Sequence, residues 1–346
     1  MALKMLYLLS FLSVMIILSW YYRDGLYREM KFLLIGKNSE AYNKDILNFI
    51  ILVGCSWACF YSLLCQGYQG SWYIIEDIMN FKGPSPFQQR ILFVLFAKLI
   101  RWVFPSLTYI QSYCLSQLLP IVLAFYFIKK WAELFIRANY SFLAQFILLA
   151  MLIPTITYYT FYDFGIIFFF TLCLYLLFKE QFIAYYIVFS IGIFNHEIIL
   201  FMVIIYLAMY LKDRILWKEI FISILFQLTI FILIRYLQYY YIPGTYLTAT
   251  GRIWINIDFI FNKQAMLFNT FVVIGVWYTL SIIGIKYAPK KLKRCAVLIP
   301  LLLMMTLFVG QLNELRQFNA YIPVAISNIM CLFASLNELP PRDSLE

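Results

Sequence analysis

The chain alternates between long apolar runs and short polar segments, and this alternation predicts its architecture. A helix that crosses a bilayer needs about 20 apolar residues, and eleven runs approach that length. They lie at 5–22, 46–66, 106–128, 141–158, 164–178, 182–195, 198–211, 220–235, 265–285, 295–312 and 321–336. We therefore expect an all-α fold, a polytopic transmembrane helical bundle of about eleven spans. Residues 1–346 form one membrane domain in this interpretation, with no separate soluble domain.

Lys and Arg residues between the runs set the expected orientation, because cytoplasmic loops of membrane proteins are enriched in them. If the basic segments all lie on the cytoplasmic side, every span alternates in direction. The run 182–211 is then two short helices that turn at His196. One long helix there would move nine later Lys and Arg residues to the outer side and leave four inside, so the hairpin is favoured.

Residues 90–104 form an apolar segment of a different kind. On a helix, Arg90, Lys98 and Arg101 fall within about 80° of one another, and the remaining surface is mostly aliphatic and aromatic. Pro105 follows and ends the segment. This pattern predicts an amphipathic helix in the membrane interface on the outer, extracytoplasmic side.

The stretch Asn195-His196-Glu197 places ionisable groups in the most apolar part of the chain. Between Phe182 and Leu211 the only charged residue is Glu197, and His196 is the only histidine in the protein. Such groups are costly in hydrocarbon, so they face protein or water and mark a candidate site. The structural alternative is an interhelical hydrogen bond that only fixes packing.

Composition supports a membrane protein and excludes several other classes. Hydrophobic residues make up 64% of the chain and charged residues 13%, against about 25% charged in ordinary soluble domains. The net charge of +10 comes from clusters between apolar runs, so we assign it to topology and expect membrane lipid, not nucleic acid, as a partner. The seven cysteines show no C-x-x-C pairing. No metal site is predicted, and a requirement for a divalent cation is left open.

On this topology, polar residues from distant parts of the chain reach the outer face together. Arginine binds phosphate oxygens through its planar fork, and a carboxylate can take the proton from an attacking hydroxyl. We therefore expect transfer of a sugar from a polyprenyl phosphate or diphosphate to an acceptor, with Tyr240 and Trp254 as candidates to stack on sugar rings. The outer-face set comprises Glu76, Asp77, Arg90, Asp163, Asn195, His196, Glu197, Arg252, Glu314 and Arg316.

Four short motifs resemble one family of membrane enzymes. They are Pro86-Phe87-Gln88-Gln89-Arg90-Ile91-Leu92 followed by Ala97-Lys98-Leu99, then Tyr162-Asp163, Asn195-His196-Glu197 and Glu314-Leu315-Arg316-Gln317-Phe318. The pattern resembles GT-C-type polyprenyl-phosphate-sugar glycosyltransferases. It is also similar to exopolysaccharide and O-antigen polymerases, which use a whole repeat unit as donor. Both resemblances imply a multi-pass protein of the bacterial inner membrane that acts at its outer face.

The resemblance also implies roles for individual residues. It implies that Asp77 or Glu76, in the first outer loop, is the catalytic base, with Asp77 preferred. It implies that Arg90 and Arg316 hold the lipid phosphate, and we add Arg252, Lys98 and Arg101 as further donor-binding candidates. Substrate-positioning candidates are Asp163, Asn195, His196, Glu197 and Glu314.

Two other function classes remain open at this stage. A transporter or flippase would use Asp163, His196 and Glu197 as a proton relay, because histidine changes charge near physiological pH. A scaffold subunit of a glycan-assembly complex would use the same residues for partner binding only.

Overall fold

The computed structural model describes residues 39–69, 73–83, 87–156, 160, 162–211, 217–242, 252–263, 275–312 and 314–336, and the predicted span 5–22 lies outside them. Within these residues every regular element is a helix. In chain order they are α1 (Ser39–Gln69), α2 (Tyr73–Met79), α3 (Leu92–Val103), α4 (Tyr109–Ala132), α5 (Leu143–Leu152), α6 (Asp163–Phe178), α7 (Phe182–Asn195), α8 (Phe201–Tyr210), α9 (Trp217–Tyr241), α10 (Arg252–Asn262), α11 (275–284), α12 (Lys290–Arg294), α13 (Leu298–Phe308) and α14 (Ile322–Leu336). Short 3₁₀ helices at Phe87–Gln89, Ile153–Thr155, Glu197–Leu200, Ile285–Tyr287, Cys295–Val297 and Leu315–Tyr321 link several of them.

The apolar helices indicate a membrane-embedded helical protein, but the predicted count of eleven spans is not confirmed. Four described helices are long and apolar enough to cross a bilayer, namely Asp45–Cys65, Tyr109–Ala132, Trp217–Tyr241 and Arg316–Leu336. Four shorter apolar helices, α5 to α8, have between 10 and 16 residues. A helix of that length falls below the roughly 17 residues that a span needs.

Helix α4 is the centre of the fold and contacts α1, α2, α3, α5, α6 and α14. It begins with a capping box, in which the Thr108 hydroxyl and the Gln111 side chain each accept a hydrogen bond from the other's backbone N–H. Near its other end the indole of Trp131 donates to the carbonyl of Pro323, at 2.9 Å. Buried polar side chains satisfied in this way fix the helices relative to one another.

The amphipathic segment 90–104 forms helix α3, as predicted. Its outward face carries Trp102, which is 79% exposed, while Val94 and Ala97 are fully buried. The Arg101 guanidinium lies 3.7 Å from the ring centroid of Tyr109 at the start of α4, and the first turn of α3 lines a groove with residues 119–123 of α4. Helix α3 therefore runs antiparallel along the first half of α4. Its position in the plane of a membrane stays a prediction.

The run 182–211 folds as two helices that turn at His196, which confirms the predicted hairpin. The ring of Phe182 at the start of α7 lies 5.8 Å from that of Tyr210 at the end of α8, so the helices are antiparallel. His196 adopts extended backbone between them, with φ −162° and ψ 139°. Asn195, His196 and Glu197 are thereby placed together at one end of the bundle.

Several of the basic segments that the structure describes lie at the opposite end of the bundle. Lys291 of α12 pairs with Glu180, which follows α6, at 3.0 Å, and Arg294 donates a hydrogen bond to the Met209 carbonyl. The ring of Phe178 at the end of α6 lies 4.8 Å from that of Trp131 in the last turn of α4. Segments that the sequence assigns to one side of the membrane are therefore neighbours in the fold.

Replacing Gly284 by Ala should lower the melting temperature of the detergent-solubilised protein. The added Cβ would overlap the carbonyl oxygen of Asn328 in α14, so α11 and α14 would have to separate. Overpacking of this kind costs about 1–3 kcal/mol. The matched control is Gly54→Ala in α1, where a Cβ meets nothing within 4 Å and alanine is about 0.5–1 kcal/mol better in a helix. Equal melting temperatures for the two variants would contradict the close approach of α11 and α14.

Candidate functional site

Polar side chains from five distant segments meet at one end of the bundle. The start of α6, the end of α7 and the end of α9 lie there. We call this set the polar cluster. It comprises Arg90, Tyr162, Asp163, Asn195, His196, Glu197, Arg235, Glu314, Arg316 and Asn319. Each member lies at a helix end, in a 3₁₀ helix or beside one, except Arg235, which lies in the last two turns of α9. Helix ends can carry polar groups that the apolar middle of a span cannot.

Arg90 and Glu197 form a two-bonded ion pair in the cluster. Nε of Arg90 donates to Oε2 of Glu197 at 3.1 Å, and a terminal guanidinium nitrogen donates to Oε1. The arginine side chain is 8% exposed and the glutamate side chain 32%. Burial by itself would lower the pKa of Arg90, but the charge of Glu197 outweighs it and raises that pKa. The pair is therefore fully charged, with planar, bidentate geometry.

A second arginine approaches the same carboxylate. A guanidinium nitrogen of Arg235 lies 3.8 Å from Oε2 of Glu197, and the side chain is buried. Its hydrogen bonds go to neutral groups, the amide oxygen of Gln238 at 3.0 Å and the hydroxyl of Tyr239 at 3.2 Å. Two guanidinium groups thus share one carboxylate. This part of the cluster, which we call the positive pole, carries an excess of positive charge.

The charge balance is reversed around Arg316. Its guanidinium lies 3.3 Å from Oε2 of Glu314 and 3.9 Å from Oδ2 of Asp163. Asn319 donates to the other oxygen of Asp163 at 3.2 Å. Two carboxylates share one arginine here, so we call this part the negative pole. The Asp163 side chain is only 4% exposed, and its Oδ2 accepts no hydrogen bond from any described residue.

Tyr162 joins the two poles. Its ring lies 5.1 Å from the guanidinium carbon of Arg90, its hydroxyl donates to the carbonyl of Phe87 at 2.8 Å, and it directly precedes Asp163. Asn195 donates to the carbonyl of Tyr162 at 3.3 Å. A Cβ on Gly165 would lie 2.6 Å from the Asn195 side-chain oxygen, so a larger residue there would have to displace the Asn195 side chain.

His196 helps to shape the turn and does not form an ion pair. Its Nδ1 accepts a hydrogen bond from the backbone N–H of Ile198 at 3.1 Å, which starts the 3₁₀ helix after α7 as a cap. The same nitrogen lies 3.8 Å from Glu197, but a nitrogen that accepts a hydrogen bond carries no proton to donate. The imidazole of His196 is therefore unprotonated at Nδ1, and its remaining N–H, at Nε2, is the group that can donate a hydrogen bond.

The described residues contain no group of three His, Cys, Asp or Glu side chains placed to hold a metal ion. Glu197 and Glu314 each pair with an arginine, and Asp163 has Arg316 nearby. The arrangement therefore suits an anion and a hydroxyl group better than a cation.

Several predicted donor-binding and sugar-stacking residues lie outside the cluster. Lys98 and Arg101 lie over aromatic rings of Phe81 and Tyr109, at 3.8 and 3.7 Å from the centroids. Neither they nor Arg252, which begins α10, bond to a cluster residue in the described part of the chain. The other two, Tyr240 and Trp254, are largely exposed. The structure thus gives these five side chains no geometric link to the cluster.

The predicted bases lie near the cluster but point to the surface. Glu76 and Asp77 are exposed on the short helix α2, which packs against the 3₁₀ helix that ends just before Arg90. Neither carboxylate bonds to a cluster residue within the described ranges. Their catalytic role stays a prediction. Of the three carboxylates inside the cluster, Asp163 is the most buried, with a side chain 4% exposed against 32% for Glu197 and 28% for Glu314.

Sequence reasoning missed Arg235 and Asn319 as members of the site. Arg235 was visible as a lone arginine at the end of the apolar run 220–235, which is the signal that singled out Glu197. Asn319 carried no comparable signal, because one amide near a predicted span is ordinary. Its role depends on contact with Asp163, 156 residues away in the chain.

Comparison with protein-family models, with curated proteins and with solved structures gives no match.

Replacing Arg90 by Ala should destabilise the fold by about 3 kcal/mol, because it leaves a partly buried carboxylate with only the longer contact to Arg235. The double variant Arg90→Ala with Glu197→Ala should lose less than the sum of the two single variants. Unfolding in detergent measures all three. Lys263→Ala is the control, since Lys263 and Asp258 form an exposed pair, 52% and 40% accessible, worth less than about 1 kcal/mol. Additive single effects would contradict the pairing.

Proposed function

We propose that the protein is a membrane glycosyltransferase of the GT-C type that uses a polyprenyl-phosphate-linked sugar donor. In this proposal it works at the outer face of a bacterial inner membrane, in the synthesis of surface polysaccharide or glycoconjugates. One observation carries the proposal: the polar cluster separates a positive pole from a negative pole. Transfer of a sugar from a phosphate to a hydroxyl needs both, one to hold the phosphate and one to receive the proton.

The positive pole suits the donor phosphate. Arg235 is buried, is cationic as arginine always is in proteins, and donates its hydrogen bonds in the described part of the chain to neutral partners. A phosphate oxygen that replaces Gln238 or Tyr239 as acceptor would exchange a neutral hydrogen bond for a charge-assisted one, which is about twice as strong. Arg90 is already committed to Glu197, so it positions that carboxylate and adds charge to the pole.

The negative pole suits the acceptor. Oδ2 of Asp163 has no hydrogen-bond partner among the described residues, so it has a lone pair for the proton of a sugar hydroxyl, and the guanidinium of Arg316 lies 3.9 Å from it. In the proposed step the hydroxyl oxygen bonds to the anomeric carbon of the donor sugar, and the bond from that carbon to the phosphate oxygen breaks. The proton moves to the carboxylate, and the lipid phosphate leaves as an anion held by arginine. General-base help of this kind typically gives about 10²- to 10⁴-fold.

The family resemblance supports the same reaction with a different base, Asp77 or Glu76. A polymerase that joins repeat units would use the same two poles with a larger donor, and the exposed aromatic residues Tyr240 and Trp254 would then serve extended sugars. A flippase, in contrast, would need anion binding but no proton acceptor. The experiments below separate these alternatives.

Undecaprenyl phosphate should bind the purified protein more tightly than undecaprenol, which lacks the phosphate. Arg235→Ala should weaken binding of the phosphate by about tenfold, the loss of one charge-assisted contact worth about 1.4 kcal/mol. Lys263→Ala should leave it unchanged. Microscale thermophoresis in detergent measures both. Equal affinity of the wild type for the two lipids would remove the basis of the proposal.

Sugar transfer in membranes should fall at least about 100-fold in Asp163→Asn, with the protein still inserted and undecaprenyl phosphate still bound. The amide can keep the Asn319 contact, and it removes the proton acceptor together with the negative charge that faces Arg316. Asp77→Asn is the matched comparison. A loss confined to Asp77→Asn would move the base to the first outer loop. Full activity in both variants, with binding intact, would indicate transport without chemistry.

A further inference from the structure

A second pocket lies at the end of the bundle away from the polar cluster. It is a groove of about 400 Å³ between α7, α8 and α9, which we call the aromatic groove. Phe182 is the first residue of α7 and Asn195, in the cluster, is the last. The lining residues are Phe182, Tyr186, Tyr206, Glu219, Ile222, Ser223 and Phe226. A volume near 400 Å³ falls within the usual range of about 300–1,000 Å³ for ligand pockets.

The walls of the aromatic groove are rings whose own polar groups are satisfied. The ring of Phe182 lies 6.3 Å from that of Tyr206, and the ring of Tyr186 lies 5.2 Å from that of Phe226. The hydroxyls of Tyr186 and Ser223 are 2.5 Å apart. Below them, Gln227 donates to the Ser223 hydroxyl and accepts from Tyr185, at 3.2 and 2.7 Å. The pocket therefore offers ring faces and a rigid floor.

One carboxylate stands at the mouth. Glu219 precedes Ile222, Ser223 and Phe226 by three, four and seven residues, so all four lie on one face of α9. Glu219 is exposed and makes no hydrogen bond or ion pair with any residue in the described part of the chain. A negative charge beside several aromatic rings is the chemistry that recognises an organic ammonium group, through the ion pair and cation–π attraction together.

The surroundings indicate an amphiphile. The neighbouring face of α9 exposes Phe221, Ile222, Leu225 and Phe226, which in a membrane-embedded protein face lipid chains. Lys218 is exposed beside Glu219 and has the charge to meet a phosphate. An ammonium near Glu219 and a phosphate near Lys218 together make up a zwitterionic phospholipid head.

We propose that the aromatic groove binds the head of phosphatidylethanolamine from the surrounding membrane. The ammonium group lies between the carboxylate and the rings, the phosphate lies toward Lys218, and the acyl chains follow the apolar face of α9. This site is independent of sugar transfer and uses no residue of the polar cluster. It stabilises the ends of α7, α8 and α9 that are farthest from Asn195, Glu197 and Arg235.

The test is native mass spectrometry of the full chain, released from dodecyl maltoside and titrated in parallel with dioleoyl-phosphatidylethanolamine and dioleoyl-phosphatidylglycerol. The wild type should bind the ethanolamine lipid about tenfold more tightly, as expected for one ion pair with cation–π support. Glu219→Gln and Phe226→Leu should each lose most of that preference. Both positions are at the surface, so the variants are expected to fold, and circular dichroism checks this.

Glu180→Gln is the matched control, because Glu180 is an exposed carboxylate near the same end of the bundle and pairs with Lys291. It should keep the wild-type preference. Equal binding of the two lipids by the wild type would overturn the proposal, as would an unchanged preference in Glu219→Gln. An equal loss in Glu180→Gln would overturn it too. Displacement of the lipid by soluble phosphoethanolamine at the same concentration would assign the groove to a free amine instead.

Discussion

The ion pair between Arg90 and Glu197 is the constraint on which the rest of the structure depends. Two charges taken out of water lose several kcal/mol of hydration each, and only good geometry with additional hydrogen bonds offsets that loss. The chain meets the condition with two parallel bonds, the ring of Tyr162 against the guanidinium and the second arginine, Arg235. The segments around 90, 162, 197 and 235 must therefore arrive at one place together. The hairpin at His196 brings Glu197 to this place, and α3 begins beside it, two residues after Arg90.

The fold was predictable from sequence where it depends on local pattern. Apolar run length located most of the described helices, and the asymmetry of Lys and Arg residues was enough to predict the turn at His196. The fold was less predictable where the length of an apolar run was the only evidence for a membrane span. Helices α5 to α8 are short because they end in the polar cluster or in packed turns, and a sliding count of apolar residues cannot separate such a helix from a full span.

The site was predictable in outline and not in its pairings. Asp163, His196 and Glu197 stood out in the sequence as polar residues in apolar surroundings. Such residues are costly in hydrocarbon and therefore mark a candidate site. No sequence pattern predicts that Arg90 pairs with Glu197, 107 residues away. Nor does any pattern predict that Lys98 and Arg101 lie over aromatic rings and not in the polar cluster. The exposed Glu76 and Asp77 show the same limit, since a carboxylate in an outer loop has the same sequence signature whether it reaches into a site or into solvent.

The shortness of α7 has a consequence for the membrane itself. With 14 residues at about 1.5 Å each, the helix spans roughly 21 Å, against about 30 Å for a hydrocarbon core. A bilayer that followed α7 from end to end would have to thin locally or admit water to remove this mismatch. The aqueous boundary would then lie closer to Asn195 and Glu197. A charged lipid head that arrives from the side would have less hydrocarbon to cross here than anywhere along α4.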